Sequence, residues 1–118
     1  MATNFDKLKL SSSTSGRGIK LVTTTGTGDL IHTAVNVAGK NDLVVLYATN
    51  IDTVARDLVL YLGGTTSPDD LRTITIPALT VFEVVLPGLA FESGVLIKAK
   101  CATANVIIID GEVTRVTA

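Results

Sequence analysis

Short apolar runs, each about the length of one β-strand, recur along the whole chain. Valine, isoleucine, leucine and threonine dominate these runs, and β-branched side chains suit a pleated sheet. Apolar residues at helical spacing are hard to find, so the pattern predicts an all-β protein. The predicted strands are, in chain order, GIKLVTTT, DLIHTAVN, DLVVLYATN, ARDLVLYLGG, LRTITIPA, VFEVVLPG, GVLIKAK and NVIIIDGEVTRVT.

Glycine, asparagine, aspartate and proline residues separate the runs at short spacing, which is typical of antiparallel sheets. About eight such strands predict an antiparallel β-sandwich, for which a jelly-roll and an immunoglobulin-like topology both stay open. A chain of 118 residues has the usual size of one domain. Surface scaling predicts that roughly two-thirds of its unfolded surface is buried on folding. We therefore predict one sandwich domain over residues 19–118.

Several predicted strands are apolar on both faces, whereas a sandwich strand with one face in water should alternate more cleanly. All six residues of Leu43–Ala48 are apolar, so side chains pointing in both directions from this strand are apolar. Two explanations stay open. Either a loop or the N-terminal arm of the same chain covers the second face, or another subunit buries it.

The first eighteen residues differ from the rest, because they include the small-residue stretch SSSTSGRG and are mildly basic. We predict a flexible N-terminal arm over residues 1–18. Such a segment is either a frayed terminus or an arm that becomes ordered on a neighbouring subunit. The candidate partner-binding residues of this arm are Phe5, Leu8, Lys9, Leu10 and Arg17.

The segment from Gly63 to Asp70 has features of a helix start, since TSPDDL combines a capping serine, a proline and two acidic residues. The run LRTITIPA follows at once with strand alternation, so we predict a loop with one tight turn. Polar loops at the end of a sandwich often bind partners. A second candidate partner-binding site is therefore the loop Thr65 to Arg72, through Asp69, Asp70 and Arg72.

The charge balance argues against a nucleic-acid partner, and the short apolar runs argue against a membrane partner. Ten basic residues stand against eleven acidic ones, which leaves no clustered positive charge for phosphate contacts. No apolar run approaches the ~18 residues of a membrane helix, and the N-terminus lacks a secretion signal. The single cysteine cannot form an internal disulfide. We expect the chain to be made and folded in a cytoplasm.

His32, the only histidine, is the first candidate for catalysis because it follows the glycine turn GTGD. A general base needs a nucleophile and an orienting partner within reach. Asp29 lies three residues away, roughly 10 Å along a strand and on the opposite face. Alternation also places His32 on the same face as Leu30 and Ala34. The pattern therefore favours a partly buried or interface histidine with a structural role.

The sequence lacks the residue sets that metal, phosphate, sugar and base-stacking sites require. One histidine and one cysteine cannot build a zinc site, and the carboxylate pairs Asp69–Asp70 and Asp110–Glu112 lack the ladder of a calcium loop. No phosphate-binding glycine motif is present. The sequence has no tryptophan and few aromatic residues for stacking sugars or bases. We therefore predict a non-enzymatic protein with no cofactor and no metal.

Two long segments are similar to known proteins. DLVVLYATNIDTVARDLVLYLGGTTSPDDLRTITIPA and VVLPGLAFESGVLIKAKCATANVIIIDGEVTRV resemble small β-sandwich virion proteins of tailed bacteriophages. The resemblance covers about Gly28 to Thr117 and rests on the ATN turn, the GGT-PDD loop, the PGL turn and the closing strand. It implies a homo-oligomer, often a trimer, on the capsid surface, with the major capsid protein as partner. No catalytic residues follow from this family.

The leading functional hypothesis is therefore head decoration: a structural virion protein that binds and stabilises the phage capsid from outside. Two alternatives stay open. One is another structural position in the particle, such as a head fibre, a spike base or a neck or tail component. The other is a module that binds a ligand or a host glycan, although the scarcity of aromatic residues argues against it.

Overall fold

A computed structural model describes residues 4–117 of the chain, and these residues form β-strands joined by turns and loops. The all-β prediction is confirmed. Within the described residues no helix is long and apolar enough to cross a membrane. The nine strands are β1 (Asn4–Leu8), β2 (Ile19–Lys20), β3 (Asp29–Thr33), β4 (Lys40–Asn50), β5 (Arg56–Leu62), β6 (Leu71–Ile76), β7 (Glu83–Phe91), β8 (Leu96–Cys101) and β9 (Ile107–Thr117).

The strands form two antiparallel sheets. One has the order β1-β9-β4-β7, with β2 also paired to β9, and the other has the order β3-β8-β5-β6. The pairs are nested along the chain: β5 with β6, β4 with β7, β3 with β8, and both β1 and β2 with β9. One long antiparallel hairpin folded over on itself gives this nesting. It is the winding of a jelly roll, one of the two expected topologies.

The innermost hairpin closes through residues 63–70, the segment predicted to be a loop with a tight turn. The structure has that loop, with the turn at Ser67–Asp70. The Asp70 N–H donates to the Thr66 carbonyl at 2.8 Å, and the Asp70 carboxylate accepts from the Thr66 N–H at 3.1 Å. The helix-like signal of TSPDDL therefore produces a single turn, because β6 begins directly after it at Leu71.

The core lies between the two sheets and is built from every second residue of the central strands. In β4 the buried positions alternate strictly with half-buried ones. The whole chain exposes 6288 Å², close to the roughly 6,100 Å² expected of a folded protein of this mass. The residues with no exposed surface are Ile31, Asp42, Val44, Leu46, Ala48, Leu58, Leu60, Ile76, Ile97, Ala99, Ile107, Ile109 and Val113.

The N-terminal segment differs from the prediction. We expected an arm over residues 1–18, beside the sandwich. Within the described residues, β1 pairs with β9 and Leu10 is 1% exposed in the core. The serines that suggested flexibility supply hydrogen bonds instead: Ser11 Oγ accepts from the Thr33 N–H at 2.7 Å, and Ser13 Oγ donates to the Arg17 carbonyl at 2.7 Å. Residues 4–18 are therefore part of the sandwich, and residues 1–3 lie outside the described range.

The turn before β3 contains two glycines, Gly26 and Gly28, and the structure requires glycine more strictly at position 28. Gly26 and Gly28 both have positive φ, +61° and +75°. A Cβ on Gly28 would lie 2.1 Å from the Ala99 carbonyl oxygen, whereas a Cβ on Gly26 meets nothing within 4 Å. Gly28 therefore allows the close approach through which β3 pairs with β8, where Asp29 lies opposite Ala99.

Alanine at these two glycines separates backbone strain from steric collision. We expect Gly26→Ala to lower the free energy of unfolding by about 1 kcal/mol, from the left-handed conformation alone. Gly28→Ala should cost about 3 kcal/mol, because the β3–β8 pairing must also move apart. Urea unfolding followed by far-ultraviolet circular dichroism measures both. Equal losses in the two variants would contradict the assigned collision with Ala99.

Candidate functional site: a buried histidine network and an open apolar face

A β-bulge places His32 in the interior. The pairing of β3 with β8 shifts register between Leu30 and His32, and such a bulge turns consecutive side chains away from strict alternation. Ile31 is 0% exposed and His32 is 2% exposed, whereas Leu30 is 39% exposed. The expectation that His32 shares a face with Leu30 is therefore wrong. We expected a partly buried or interface histidine, and the structure instead buries this side chain in the interior.

Both ring nitrogens of His32 are hydrogen-bonded within the chain. The Ser11 backbone N–H donates to Nδ1 at 3.0 Å, so Nδ1 must hold its lone pair, and the proton sits on Nε2. Nε2 then donates to Asp42 Oδ2 at 2.9 Å. Asp29 has separate partners, since its Oδ2 accepts from the Val22 N–H at 2.9 Å. No nitrogen of this imidazole is left free to take a proton from a substrate.

Asp42 is the centre of the network. Its side chain is fully buried and accepts from Arg115 Nε at 2.8 Å and Nη2 at 3.1 Å. The Val35 N–H also donates to it at 3.1 Å. Arg115 lies directly opposite Asp42 on β9, while His32 belongs to the other sheet. This carboxylate therefore ties the two sheets together at one end of the sandwich.

The charge state of Asp42 follows from these contacts. Burial by itself raises the pKa of this carboxyl, but the hydrogen bonds from Arg115 and His32 and the Arg115 charge outweigh it. The pKa of Asp42 is lowered from its ordinary value of 3.8. The same hydrogen bond, which Arg115 donates to Asp42, raises the pKa of Arg115. Asp42 and Arg115 thus form an ionised, bidentate ion pair. Neutral donors, the His32 ring and the Val35 N–H, fill the remaining acceptor sites of the Asp42 carboxylate.

The outer face of the five-stranded sheet is apolar along β4 and partly exposed. Along β4 the outward side chains of Leu43, Val45 and Tyr47 are half-buried. Tyr47 lies opposite Val84 of β7, which is 54% exposed. β1 does not cover this face, because it extends the sheet at its edge beside β9. Within the described chain, then, neither a loop nor the N-terminal segment buries the second apolar face.

The apolar character is strongest in the connection between β6 and β7. Leu79, Val81 and Phe82 are 65%, 63% and 60% exposed. Leu79 and Phe82 have φ of +56° and +53°, a conformation that costs roughly 1–2 kcal/mol for a residue with a Cβ. We use "apolar face" below for Leu43, Val45, Tyr47 and Val84 together with residues 79–82.

Hydrogen bonds from β4 and the turn after it hold this connection in place. The Asn50 side-chain amide is buried and donates to the Val54, Ile76 and Pro77 carbonyls at 3.0, 3.0 and 3.2 Å. The Asn50 N–H donates to the Thr80 carbonyl at 2.8 Å. The loop thus presents its apolar side chains from a fixed backbone, as expected where surrounding contacts over-determine a strained conformation.

A shallow groove of about 330 Å³ opens on this face, lined by Tyr47, Phe82, Asp110, Gly111 and Glu112. The two rings meet edge to face, with centroids 6.4 Å apart and an angle of 84° between their planes. Aromatic walls beside two carboxylates make a site that suits an amphipathic cation better than a neutral or anionic group.

The residues predicted from sequence fall into two separate groups. Phe5, Lys9 and Arg17 are exposed and Leu8 is half-buried, and Phe5 lies on the sheet that carries the apolar face. Leu10 is a core residue, so its proposed role as a partner anchor is wrong. It lies between the sheets, where no partner reaches it.

The second predicted group lies on the other sheet, in the β5–β6 hairpin. Arg72 Nη1 donates to the Pro68, Asp69 and Leu71 carbonyls at 3.3, 3.1 and 2.8 Å, so this arginine stabilises its own loop. Asp70 does the same through Thr66, while Asp69 is exposed. The sequence reasoning missed residues 79–82, although the run of apolar residues after Pro77 and before Glu83 was a usable signal.

Comparison of the chain with protein-family models and with curated protein sequences gave no match.

Neutralising the buried carboxylate should destabilise the fold. We expect Asp42→Asn to lower the free energy of unfolding by about 3 kcal/mol, because Arg115 loses its counter-charge and one amide oxygen replaces two acceptors. Asp57→Asn is the matched control, since that carboxylate is exposed and accepts from Thr75 Oγ1; its cost should stay within about 0.5 kcal/mol. Urea unfolding of both variants measures the difference, and similar costs would argue against the network.

The lowered pKa of Asp42 also predicts a pH dependence. In the unfolded chain this carboxyl titrates near 3.8, and in the folded protein it titrates lower. The unfolded state therefore binds more protons as the pH falls, and the stability that Asp42 contributes is constant above this range and lost below it. The stability advantage of the wild type over Asp42→Asn should shrink as the pH drops below 3.8. A constant difference across that range would contradict it.

Proposed function

We propose that this chain is a non-enzymatic structural protein that binds the outside of a phage capsid and stabilises it as a head-decoration protein. The observation that carries the proposal is the apolar face, which the chain leaves open on a rigid sheet and a fixed loop. The resemblance to phage virion β-sandwich proteins names the partner, the major capsid protein. Localisation on the virion is part of the same proposal.

The size of the apolar face supports a role in protein association. Six large apolar side chains, each about half to two-thirds exposed, surround this end of the sandwich: Ile51, Val54, Leu79, Val81, Phe82 and Val84. Four of these residues, Leu79, Val81, Phe82 and Val84, belong to the apolar face, and exposed apolar patches of this kind often mark sites of protein association. The half-buried outward residues of β4 extend this exposed apolar surface along the sheet.

The strain in the β6–β7 connection supports the same conclusion. Two bulky residues, Leu79 and Phe82, hold an unfavourable backbone conformation, and both expose their side chains to solvent. Strain of this kind persists where it serves a purpose other than stability. Presenting rigid apolar anchors to a partner is such a purpose, because little conformational entropy is then lost on binding.

The His32 network supports a role without chemistry at the only histidine. Its imidazole is buried and uses both nitrogens within the fold. A decoration protein needs no reactive group, since it stabilises the shell by binding the assembled state alone. Many copies on one lattice make weak single contacts effectively permanent. We expect the protein to form homo-oligomers, with the trimer that the resemblance implies.

Charge placed in the apolar face tests the proposal. Val81→Asp should weaken binding to purified, DNA-free heads of the phage that encodes the protein by at least tenfold, about 1.4 kcal/mol. Val37→Asp is the matched control, because Val37 is 54% exposed and lies just before β4, at the end opposite residues 79–82. Co-sedimentation with heads measures both variants.

The expected result is wild-type binding for the control and loss of binding for Val81→Asp, with unchanged circular dichroism for both. A wild-type protein that is a strict monomer and does not co-sediment with heads would refute the proposal. Labelling the protein in intact particles and imaging its position separates head decoration from a fibre, neck or tail location.

A further inference from the structure

The groove on the apolar face combines aromatic walls with acidic side chains in a defined order. Tyr47 lies directly opposite Asp110, and Val45 directly opposite Glu112, on paired strands β4 and β9. Side chains directly opposite in an antiparallel pair lie on the same face, with Cβ atoms about 4.5–5.5 Å apart. The two carboxylates therefore stand in a row beside the Tyr47 ring, and Phe82 closes the groove edge to face with that ring.

The groove holds more negative charge than the chain compensates. Glu112 pairs with Lys7 at 3.0 Å, and both side chains are more than half exposed, so this ion pair is weak and easily exchanged. Among residues 4–117, no lysine or arginine lies within ion-pair distance of Asp110. Between them the two carboxylates thus have one ion-pair partner, the largely exposed Lys7 beside Glu112.

Gly18 lies close against the Asp110 carboxylate. A Cβ at this position would lie 2.8 Å from Asp110 Oδ1 and 2.5 Å from Ile108 Cγ2. Any side chain at position 18 would therefore press against this carboxylate. The glycine therefore adds no side chain beside a carboxylate that is already half-buried.

These features select the chemistry of the occupant. A neutral apolar side chain would bury the carboxylates without a counter-charge, which is unfavourable, and a phosphate or carboxylate would be repelled. An arginine side chain satisfies both parts: its apolar stem packs on the rings, its planar guanidinium stacks on an aromatic face, and its N–H groups reach carboxylates in pairs. Lysine offers the charge without the planar fork.

We infer that the Tyr47–Phe82 groove binds an arginine side chain of a protein partner, with the guanidinium between Asp110 and Glu112. The inference rests on the proposed function for the partner's identity, which makes the arginine one on the capsid surface. It assigns a specific polar contact to an interface whose affinity comes mainly from apolar area. It also predicts that binding to the partner weakens as ionic strength rises.

A pair of small probes tests the groove without the capsid. Nα-acetyl-arginine amide and Nα-acetyl-citrulline amide have nearly the same shape, but only the first is charged. Each is titrated into uniformly ¹⁵N-labelled protein while the amide signals of Gly111 and Glu112 are followed by NMR. We expect saturable chemical-shift changes with the arginine probe, and at least tenfold weaker binding of the citrulline probe.

Variants assign the effect to the two carboxylates. Asp110→Asn combined with Glu112→Gln should abolish the response to the arginine probe, and Asp57→Asn, an exposed carboxylate on the other sheet, should leave it unchanged. Circular dichroism confirms that each variant is folded. The inference is overturned when both probes shift the same signals equally, when the arginine probe shifts none, or when the double variant responds like the wild type.

The proposed function is tested separately from the groove. If the wild type co-sediments with heads while the arginine probe fails, this inference is wrong and the decoration role stands. If the arginine probe binds as expected but the protein does not co-sediment with heads, the groove chemistry is supported and the capsid is the wrong partner.

Discussion

A carboxylate that is buried without exposed surface must be surrounded by hydrogen-bond donors, and Asp42 imposes this requirement on the fold. Removing such a charge from water costs several kcal/mol unless the donors are fixed in place. Three separate segments supply them: Arg115 on the neighbouring strand, His32 on the facing sheet, and the Val35 N–H at the start of the next loop. His32 is itself oriented by the Ser11 N–H. One side chain, Asp42, therefore links both sheets and the β3–β4 connection directly, and the N-terminal segment through His32.

The two faces of β4 therefore differ: the inner face is buried and anchored by hydrogen bonds, and the outer face is partly exposed. The inner face holds Asp42 at one end, Asn50 at the other, and three fully buried apolar residues between them. Both polar residues are completely hydrogen-bonded, and the described chain has no buried side-chain polar atom without a partner. With the inner face fixed in this way, the outward side chains of β4 extend from a backbone that is hydrogen-bonded to strands on both sides. An apolar surface on a rigid strand loses little entropy when a partner covers it, which is why the open side of β4 suits association.

The sequence predicted the features that depend on local pattern. Alternation and β-branched residues indicated the strands, and the polar loop from Gly63 to Asp70 ended where β6 begins, as LRTITIPA suggested. The sequence could not predict the bulge between Leu30 and His32, because a bulge depends on the pairing partner β8. It could not predict the contacts of Asp42 either, since Arg115 lies 73 positions away and His32 lies 10. Leu10 was misassigned for the same reason: a serine-rich neighbourhood indicates flexibility only when no distant strand pairs with it.

The sequence predicted that β4 has two apolar faces, but it could not predict whether another segment of the chain covers the outer one. Six consecutive apolar residues in Leu43–Ala48 indicated that β4 has two apolar faces, but not which segment, if any, would cover the second. The answer depended on β1, which joins the sheet edge at β9 and leaves the face open. The Asn50 amide then fixes the connection that follows β6, so Phe82 meets Tyr47 at a set angle. Once these rings and the row formed by Asp110 and Glu112 share one surface, the open face distinguishes among partners. In the interface that we propose, this surface favours a partner that brings both apolar area and a cation.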